Sequence, residues 1–426
     1  MQPTIGFVGM THLGLVSGVS AAEKGFQVVC FDPDLARIAP MRRGALPVSE
    51  PQLDTLVATN AQRILFSSDT ADLQVCDVIY VAPDVATDDQ GGSDLGQINT
   101  LLALALEVAR PDAVVVVLSQ VPPGFTRGKQ QAGRVLYYQV ETLIFGRAVE
   151  RALYPERTIV GCANPVEPLP EAYAAFLAAH NCPILPMRYE SAELAKISIN
   201  MCLVASVSVA NMMAELCEQS GAAWSEIVPA LRLDRRIGPY SYLRPGLGIA
   251  GGNLERDLAT VLALAEQHGT DAGIVSAWVA NSRYRKDWVW RILERSVLER
   301  HPDVKIAVLG LAYKEDTRST KNSASLALLT HLKGCSVVVY DPVVALADAG
   351  SSFRSAPSAM EAIEGCDAIC VMTPWEEFKK LCPIDMAKSM RGKWLIDPYN
   401  VIDGKAAVSA GLRYATIGVA LEGKSL

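Results

Sequence analysis

The sequence lacks several features that would point to common classes of function. Aspartate and glutamate (46) outnumber lysine and arginine (39), and the net charge of −7 argues against nucleic-acid binding, which favours a basic surface. The five histidines are isolated and the ten cysteines show no metal-ligand spacing, so we expect reduced core cysteines and no metal site. No basic segment followed by an apolar run begins the chain, and the apolar strip 202–214 is too short to span a bilayer. We therefore expect a cytoplasmic protein with no membrane and no nucleic-acid partner.

The chain contains the same order of elements twice. Its 426 residues are enough for two or three domains. A strand, a glycine turn, a helix and a second strand lead to Asp32-Pro33, and the same order leads to Asp341-Pro342. Apolar strands that alternate with helices indicate parallel sheets covered on both faces. We predict an α/β fold with two Rossmann-like doubly wound domains, at 1–189 and 301–426, joined by a long-helix dimerisation segment at 190–300.

The first of these units has the order of a dinucleotide-binding fingerprint. Gly9 would form the tight turn, and Gly14 would let the helix pack closely on the strand. Asp32 ends the second strand, where it would hold the ribose hydroxyls and disfavour a 2′-phosphate, so we expect NAD. The middle glycine position, where backbone approaches the pyrophosphate, is occupied by Thr11. The predicted cofactor contacts here are Gly9, Thr11, Leu13, Gly14 and Asp32.

A second glycine-rich stretch, 246–252, precedes three polar residues, Asn253, Arg256 and Asp257. The apolar run 258–265 predicts a helix that begins just after the loop. The polar residues would then lie at a helix N-terminus, which favours anions. A plain glycine-rich connection between two helices is an equally good interpretation of this stretch taken alone.

Several separated motifs occur in the same order as in a known family, and through them nearly the whole chain resembles the UDP-glucose/GDP-mannose dehydrogenases. That resemblance implies an NAD domain and a nucleotide-sugar domain on either side of a helical homodimer core. It also implies oxidation of the sugar's C6 alcohol to a carboxylate in two hydride transfers, with a cysteine thiolate holding the aldehyde as a thiohemiacetal. A UDP-sugar is the expected substrate. The motifs are Gly9–Gly14 with Asp32, Gly44 through Glu50-Pro51, Ser119–Gly124, Ala192–Lys196 with Asn200, Asp234–Gly238, Gly246–Asp257, Gly310–Lys314, Asp341-Pro342 and Thr373–Trp375.

The resemblance also implies roles for individual residues. Lys196 and Asn200 match the family's catalytic lysine and asparagine, and their spacing places both on one helix face. Asp257 matches the carboxylate that handles a proton together with a water, and Glu141 matches an active-site glutamate. The remaining implied contacts are Arg236, Tyr242, Gly248 and Lys314 with the substrate and Lys321 with the cofactor.

The chain departs from the family pattern at the positions that carry the chemistry. Asn253 stands in the place of the catalytic cysteine, four residues before Asp257 as in the family. An amide cannot form a thiohemiacetal, although it could donate a hydrogen bond to the substrate oxygen or simply cap the following helix. Gln120 replaces a threonine, Phe145 replaces a second glutamate, and Pro83-Asp84 replaces a threonine-proline pair.

Three interpretations of function remain. The first is an NAD-dependent oxidoreductase acting on a nucleotide sugar or a related phosphorylated alcohol. It stops at the aldehyde because it lacks the nucleophile of the full four-electron reaction, unless hydration of the aldehyde allows a second hydride transfer. The second is a catalytically impaired nucleotide-sugar-binding or scaffold protein. The third is a different chemistry on the same fold.

The cofactor assignment gives a first testable prediction. Replacing Thr11 with glycine should strengthen NAD binding, because it removes a side chain from the place where the pyrophosphate approaches the backbone. Calorimetric titration of both proteins should give a lower Kd for NAD in Thr11→Gly and weaker binding of NADP in each. An unchanged Kd would contradict the crowding argument, and tight NADP binding would contradict the role given to Asp32.

Overall fold

The computed structural model describes residues 2–88, 91–300, 304–347 and 353–421. By its internal contacts the chain divides into two units, residues 1–199 and 200–426, and the division falls within one continuous helix. Each unit contains a doubly wound, largely parallel sheet with helices, so the predicted α/β class with Rossmann-like domains is confirmed.

The sheet of the first unit has eight strands in the order β3-β2-β1-β4-β5-β6-β7-β8. All neighbours are parallel except β6 and β7, which are antiparallel. The chain winds outwards in one direction from β1 through β2 to β3, and β4 then pairs with the other side of β1. This change of direction is the topological switch point at which doubly wound sheets bind ligands. The strands are β1 (Thr4–Val8), β2 (Gln27–Phe31), β3 (Ile64–Ser67), β4 (Val78–Val81), β5 (Val114–Val117), β6 (Val135–Gln139), β7 (Thr158–Cys162) and β8 (Ile184–Arg188).

Helices cover both faces of this sheet, as the continuous apolar strands predict. Successive side chains of a strand point to opposite faces. Val114 and Val116 of β5 accordingly belong to one apolar core and Val115 and Val117 to another, and all four are buried. The helices are α1 (His12–Glu23), α2 (Leu35–Met41), α3 (Leu53–Thr59), α4 (Gly96–Val108), α5 (Ala148–Leu153) and α6 (Glu171–Ala178), with short 3-10 helices at Thr70–Val75 and Arg127–Lys129.

The long helix α7 (Tyr189–Ser220) continues from the first unit into the second. It has 32 residues and is long and apolar enough to cross a membrane, so the apolar segment is longer than the strip 202–214 on which the sequence argument relied. A single helix of this kind is also typical of a protein core, and Asn200, Ser208 and Asn211 on it are buried polar residues.

The other helices of the segment 190–300 are shorter. The predicted helical pattern from about 271 to 300 is interrupted at Asp287. The helices are α8 (Trp224–Leu233), α9 (Asn253–His268), α10 (Gly273–Lys286) and α11 (Trp288–Ser296), followed by a 3-10 turn at Leu298–Arg300.

The sheet of the second unit is entirely parallel, with six strands in the order β11-β10-β9-β12-β13-β14. Its winding changes direction at β9, as that of the first sheet does at β1. The strands are β9 (Lys305–Leu309), β10 (Ser336–Tyr340), β11 (Arg354–Ser355), β12 (Ala368–Val371), β13 (Trp394–Ile396) and β14 (Arg413–Ala415). The helices are α12 (Ala324–His331), α13 (Ala359–Ile363), α14 (Pro383–Ser389) and α15 (Gly404–Ser409), with a 3-10 turn at Phe378–Lys380.

The repeated Asp-Pro signal has the same structural use in both sheets. Asp32 follows β2, and its Oδ2 accepts a hydrogen bond from the N–H of Met10, 2.9 Å away in the turn after β1. Asp341 follows β10, and its Oδ2 accepts from the N–H groups of Leu311 (2.6 Å) and Ala312 (3.1 Å) in the turn after β9. Each aspartate therefore holds the glycine turn of its own Rossmann-like unit.

Candidate active site

The turn between β1 and α1 requires both of its glycines. Gly9 has φ +97°, and a Cβ at this position would lie 2.9 Å from the nitrogen of Pro83. A Cβ on Gly14 would lie only 2.0 Å from the carbonyl oxygen of Gly9. Any larger residue at Gly14 would force the helix away from the strand. The glycines predicted to contact the cofactor thus bring the N-terminus of α1 to the end of β1.

The carboxylate of Asp32 lies buried at the end of β2, where a dinucleotide places its ribose. Besides the bond from Met10, it accepts hydrogen bonds from the N–H of Asp34 (3.0 Å) and from Nη1 of Arg37 (3.0 Å). Arg37 was not among the predicted cofactor contacts. Both oxygens of Asp32 are therefore held in place by donors of the protein.

Two departures from the family pattern meet at the N-terminus of α1. Thr11 is the N-cap residue, but its side chain makes no capping bond to α1. Its Oγ1 instead accepts a hydrogen bond from the N–H of Asp84, 2.7 Å away in the loop after β4. The carboxylate of Asp84 in turn accepts from the N–H of Leu13, at 3.4 Å. Hydrogen bonds therefore link Asp84, an altered position, to Thr11 and Leu13, which are two of the predicted cofactor contacts.

A third departure, Phe145, lies beside another buried carboxylate. Glu50 accepts hydrogen bonds from the N–H groups of Gly146 (3.0 Å) and Ala148 (3.2 Å), and Nε2 of His12 lies 2.8 Å from its Oε1. The rings of His12 and Phe145 are in contact, with centroids 4.2 Å apart. Glu50 thus connects the start of α1 with the loop that follows Glu141, a role the sequence did not reveal.

Lys196 and Glu141 are brought together in the first unit. Nζ of Lys196 lies 2.6 Å from Oε1 of Glu141 and donates to the carbonyl oxygen of the same residue at 3.0 Å. Glu141 also accepts a bond from the N–H of Leu143 at 2.9 Å. The two side chains are only 12% and 16% exposed. Because an ammonium group has three donors, these contacts leave one for a ligand.

Glu193 is a positioning residue that sequence reasoning did not assign. It lies three residues before Lys196 on α7 and is completely buried. Its carboxylate accepts from the N–H groups of Gly124 (2.6 Å) and Thr126 (2.9 Å), and burial raises the pKa of the carboxyl above its ordinary value. It therefore fastens the loop after β5, which carries the buried Gln120, to α7. The available signal was an acidic residue within an otherwise apolar motif.

Asn200 and Asp257 are brought together in the second unit. Nδ2 of Asn200, on α7, donates a hydrogen bond to Oδ2 of Asp257, on α9. Nε of Arg256 lies 3.4 Å from Oδ1 of the same carboxylate. All three residues are buried. Asp257 is therefore a carboxylate held between an amide and a guanidinium.

Helix α9 begins at Asn253, directly after the glycine-rich stretch 246–252, so Asn253 and Arg256 lie in its first turn and Asp257 follows them. Gly252 is the N-cap, and no side chain makes a capping bond there. The interpretation of Asn253 as a helix cap is therefore wrong. Asn253 is exposed on the first turn of the helix whose next turn contains the buried Asp257.

The glycines before α9 allow close contacts within the protein. Gly248 has φ +79°, and a Cβ there would lie 2.3 Å from the carbonyl oxygen of Ser282. Gly251 has φ +91°, lies against the ring of Tyr313, and donates from its N–H to the carbonyl oxygen of Lys321 at 3.0 Å. The stretch thereby places Lys321 beside the start of α9.

The other residues implied to contact the substrate are less enclosed. Arg236 has a side chain 89% exposed and is paired with Asp234 at 2.6 Å. Tyr242 is also exposed. Nζ of Lys314 lies 5.8 Å from the ring centre of Tyr313. The structure thus joins Lys196 with Glu141 and Asn200 with Asp257, while Arg236 and Tyr242 remain at the surface of the second unit.

The fold and these residues define a class, the α/β dehydrogenases that bind a dinucleotide at the switch point of a parallel sheet. Residues 3–176 match the NAD binding domain of the UDP-glucose/GDP-mannose dehydrogenase family, residues 190–283 its central domain, and residues 307–404 its UDP binding domain. The chain belongs to this family, and its cofactor is NAD.

Named relatives cover nearly the whole chain. It is 30% identical to the UDP-glucose 6-dehydrogenase of Pseudomonas aeruginosa over 96% of each protein. It is also 30% identical to the corresponding enzyme of Rhizobium meliloti, over 97% of this chain and 99% of that enzyme. The solved UDP-glucose dehydrogenase of Pyrobaculum islandicum is 24% identical, covers 99% of this chain and 98% of its own, and has the same fold with a TM-score of 0.84.

Truncating Glu193 tests its positioning role. Glu193→Ala should lower the free energy of unfolding by about 2 kcal/mol, because the N–H groups of Gly124 and Thr126 lose their acceptor. Thermal unfolding should show a loss of roughly 4–8 °C. Glu190→Ala is the matched control, since Glu190 lies on the same helix and forms only a partly exposed ion pair with Arg127 at 2.8 Å. That variant should lose at most about 1 kcal/mol. Equal shifts in the two variants would contradict the assignment.

Proposed function

We propose that the protein is an NAD-dependent oxidoreductase that oxidises the primary alcohol of a nucleotide sugar, a UDP-sugar in the first instance, and stops at the aldehyde. The observation that carries the proposal is Asn253, which begins α9 where the resemblance implies a cysteine nucleophile. Two pairs, Lys196 with Glu141 and Asn200 with Asp257, retain the donors and the carboxylate that alcohol oxidation requires. The relatives' names, UDP-glucose 6-dehydrogenase, support the substrate class.

The first oxidation needs no nucleophile on the protein. NAD, when bound, accepts the hydride, and the alcohol oxygen loses its proton. Asp257 takes this proton through a water, and Asn200 and Arg256 keep its carboxylate in position. Lys196 keeps one free donor, which stabilises the developing negative charge on the substrate oxygen, while Glu141 keeps its ammonium group in place. The products are the aldehyde, NADH and one proton.

The second oxidation requires a tetrahedral adduct before another hydride can leave. A thiolate would form this adduct as a thiohemiacetal, with the substrate carbon bonded to sulfur. The amide of Asn253 has no nucleophilic form at neutral pH. It can instead donate a hydrogen bond to the substrate oxygen. The aldehyde is therefore released as the product.

A homodimer is part of the proposal. Val209, Met212 and Leu216 lie at helical spacing on α7 and are 50%, 49% and 54% exposed. Apolar residues at i, i+3 and i+7 form one stripe along a helix, which is the kind of face that another helix covers. A second copy of the chain would bury this stripe.

The ten cysteines form no disulfide, which fits a reducing, cytoplasmic setting.

A binding or scaffold role is the second candidate, and one contact favours it. The carboxylate of Asp84 accepts from the N–H of Leu13 at the start of α1, where a bound pyrophosphate would need that donor. A protein that had lost catalysis could tolerate weak cofactor binding. The paired Lys196 and the buried Asp257, each held by a hydrogen-bonding partner, favour the oxidoreductase.

Product stoichiometry tests the one-step reaction. UDP-glucose and a panel of other nucleotide sugars are incubated with the protein and NAD, NADH is counted per sugar consumed, and carbonyl groups are trapped with a hydrazine. We expect one NADH and one trapped aldehyde per sugar. Two NADH and a carboxylate from the unmodified protein would contradict the proposal. Asn253→Cys is the informative comparison and should form some acid, with Gln120 and Phe145 still limiting it.

The role of Lys196 is tested separately. Lys196→Ala should lower kcat by about 10²–10³-fold, since it removes a donor aimed at the developing oxyanion. Lys388→Ala, an exposed lysine on α14, is the control for the loss of one positive charge and should leave kcat unchanged. An unchanged kcat in Lys196→Ala would remove this residue from the mechanism. Absence of NADH formation by the unmodified protein across the whole panel, with nucleotide sugar still bound, would favour the scaffold role.

A further inference from the structure

The first turn of α1 is held by a carboxylate from another part of the chain. The first N–H groups of a helix have no acceptor within that helix. At α1 the N-cap side chain, Thr11, leaves them unsatisfied and accepts a bond from the N–H of Asp84 instead. The Asp84 carboxylate then accepts from the N–H of Leu13. The loop after β4 is therefore attached to the fingerprint turn by both its main chain and its side chain.

This attachment lies where a dinucleotide places its negative charge. In doubly wound sheets the pyrophosphate lies at the N-terminus of the helix after the first strand, at the switch point. Here that point lies between β1 and β4, which pair directly, with Val8 opposite Val81. Asp84 follows the end of β4 by three residues. Its carboxylate and a pyrophosphate would use the same backbone donor and would repel each other.

We infer that Asp84 sets the affinity for NAD by acting as a built-in anion at the pyrophosphate position. The inference rests on the proposed oxidoreductase function only in taking NAD as the ligand of this turn. For the pyrophosphate to reach the N–H of Leu13, the carboxylate of Asp84 must leave it. Asp84 is exposed, so its side chain can move without disturbing the core. Thr11 holds the main chain of Asp84 and thereby keeps the carboxylate close to α1.

The contact joins two positions at which the sequence departs from the family pattern. Thr11 replaces the middle glycine of the fingerprint, and Pro83-Asp84 replaces a threonine-proline pair 73 residues further along the chain. In the structure the two positions are joined by the 2.7 Å bond from the N–H of Asp84 to Oγ1 of Thr11. Their effects on cofactor affinity should therefore depend on each other.

The test compares Asp84→Asn with Asp112→Asn by calorimetric titration of the full-length protein. The amide of Asp84→Asn can still accept from Leu13, so the variant removes the charge and keeps the hydrogen bond. Asp112 is an exposed aspartate just before β5, at the edge of the sheet opposite to the carboxyl ends, and its substitution makes the same change in net charge. NAD, ADP-ribose and adenosine are the ligands, because only the first two carry a pyrophosphate.

We expect Asp84→Asn to lower the Kd for NAD and for ADP-ribose by about two- to five-fold, since an exposed charge at a helix N-terminus changes binding by this order. The Kd for adenosine should not change, and Asp112→Asn should bind all three ligands as the unmodified protein does. The gain should shrink at high salt, because salt screens repulsion between exposed charges. In Thr11→Gly, the further gain from Asp84→Asn should be smaller than in the unmodified protein.

Two results would overturn the inference in distinguishable ways. If the unmodified protein binds NAD and Asp84→Asn binds it no more tightly, Asp84 does not set the affinity, and the proposed function is untouched. An equal gain for adenosine, or an equal effect of Asp112→Asn, leads to the same conclusion. If no variant binds NAD or ADP-ribose, the proposed function fails together with the inference.

Discussion

Carboxylates that accept hydrogen bonds from backbone N–H groups hold the loops on which this site depends. Parallel sheets end in turns whose N–H groups have no partner in the ladder, and a buried donor without an acceptor is costly. Asp32 and Asp341 satisfy these groups in the two glycine turns. Glu193 does so in the loop after β5 and Glu50 in the loop after β6. These four acidic residues therefore hold two glycine turns and two loops at the ends of the sheet strands.

The same physical device explains the unusual features of the cofactor turn. A helix N-terminus attracts an anion whether the anion belongs to a ligand or to the protein. Asp84 provides an anion from within the chain. The fold is undisturbed, because its carboxylate accepts from the N–H of Leu13, which would otherwise need another acceptor. The fold can therefore stay the same while the affinity for the cofactor changes. Asn253 is similar, since it is exposed at the start of α9 and a change of residue there need not disturb the packing.

Much of the fold could be predicted because its signals are local. Apolar strands of four or five residues, a glycine with positive φ after the first strand and an Asp-Pro after the second are all visible in the sequence. The glycine-rich stretch 246–252 and the apolar run 258–265 likewise predicted a helix with Asn253, Arg256 and Asp257 at its N-terminal end, and α9 begins at Asn253. Within the site, the hydrogen bond between Asn200 and Asp257 joins two residues whose catalytic roles remain a prediction. The contacts of Asp84 and Glu193 could not be foreseen, because they depend on which distant segments meet at the end of the sheet. The contact of Arg37 with Asp32 could not be foreseen either, because it depends on the direction in which the arginine side chain points.

The central claim is that the site removes one hydride from an alcohol and cannot remove a second from the aldehyde. The most direct measurement supplies the nucleotide-sugar aldehyde itself, once with NAD and once with NADH. The account predicts that NADH is consumed as the aldehyde is reduced to the alcohol, which shows a competent site, and that no NADH forms when the aldehyde is offered with NAD. Formation of NADH and a sugar acid from the aldehyde by the unmodified protein would contradict it.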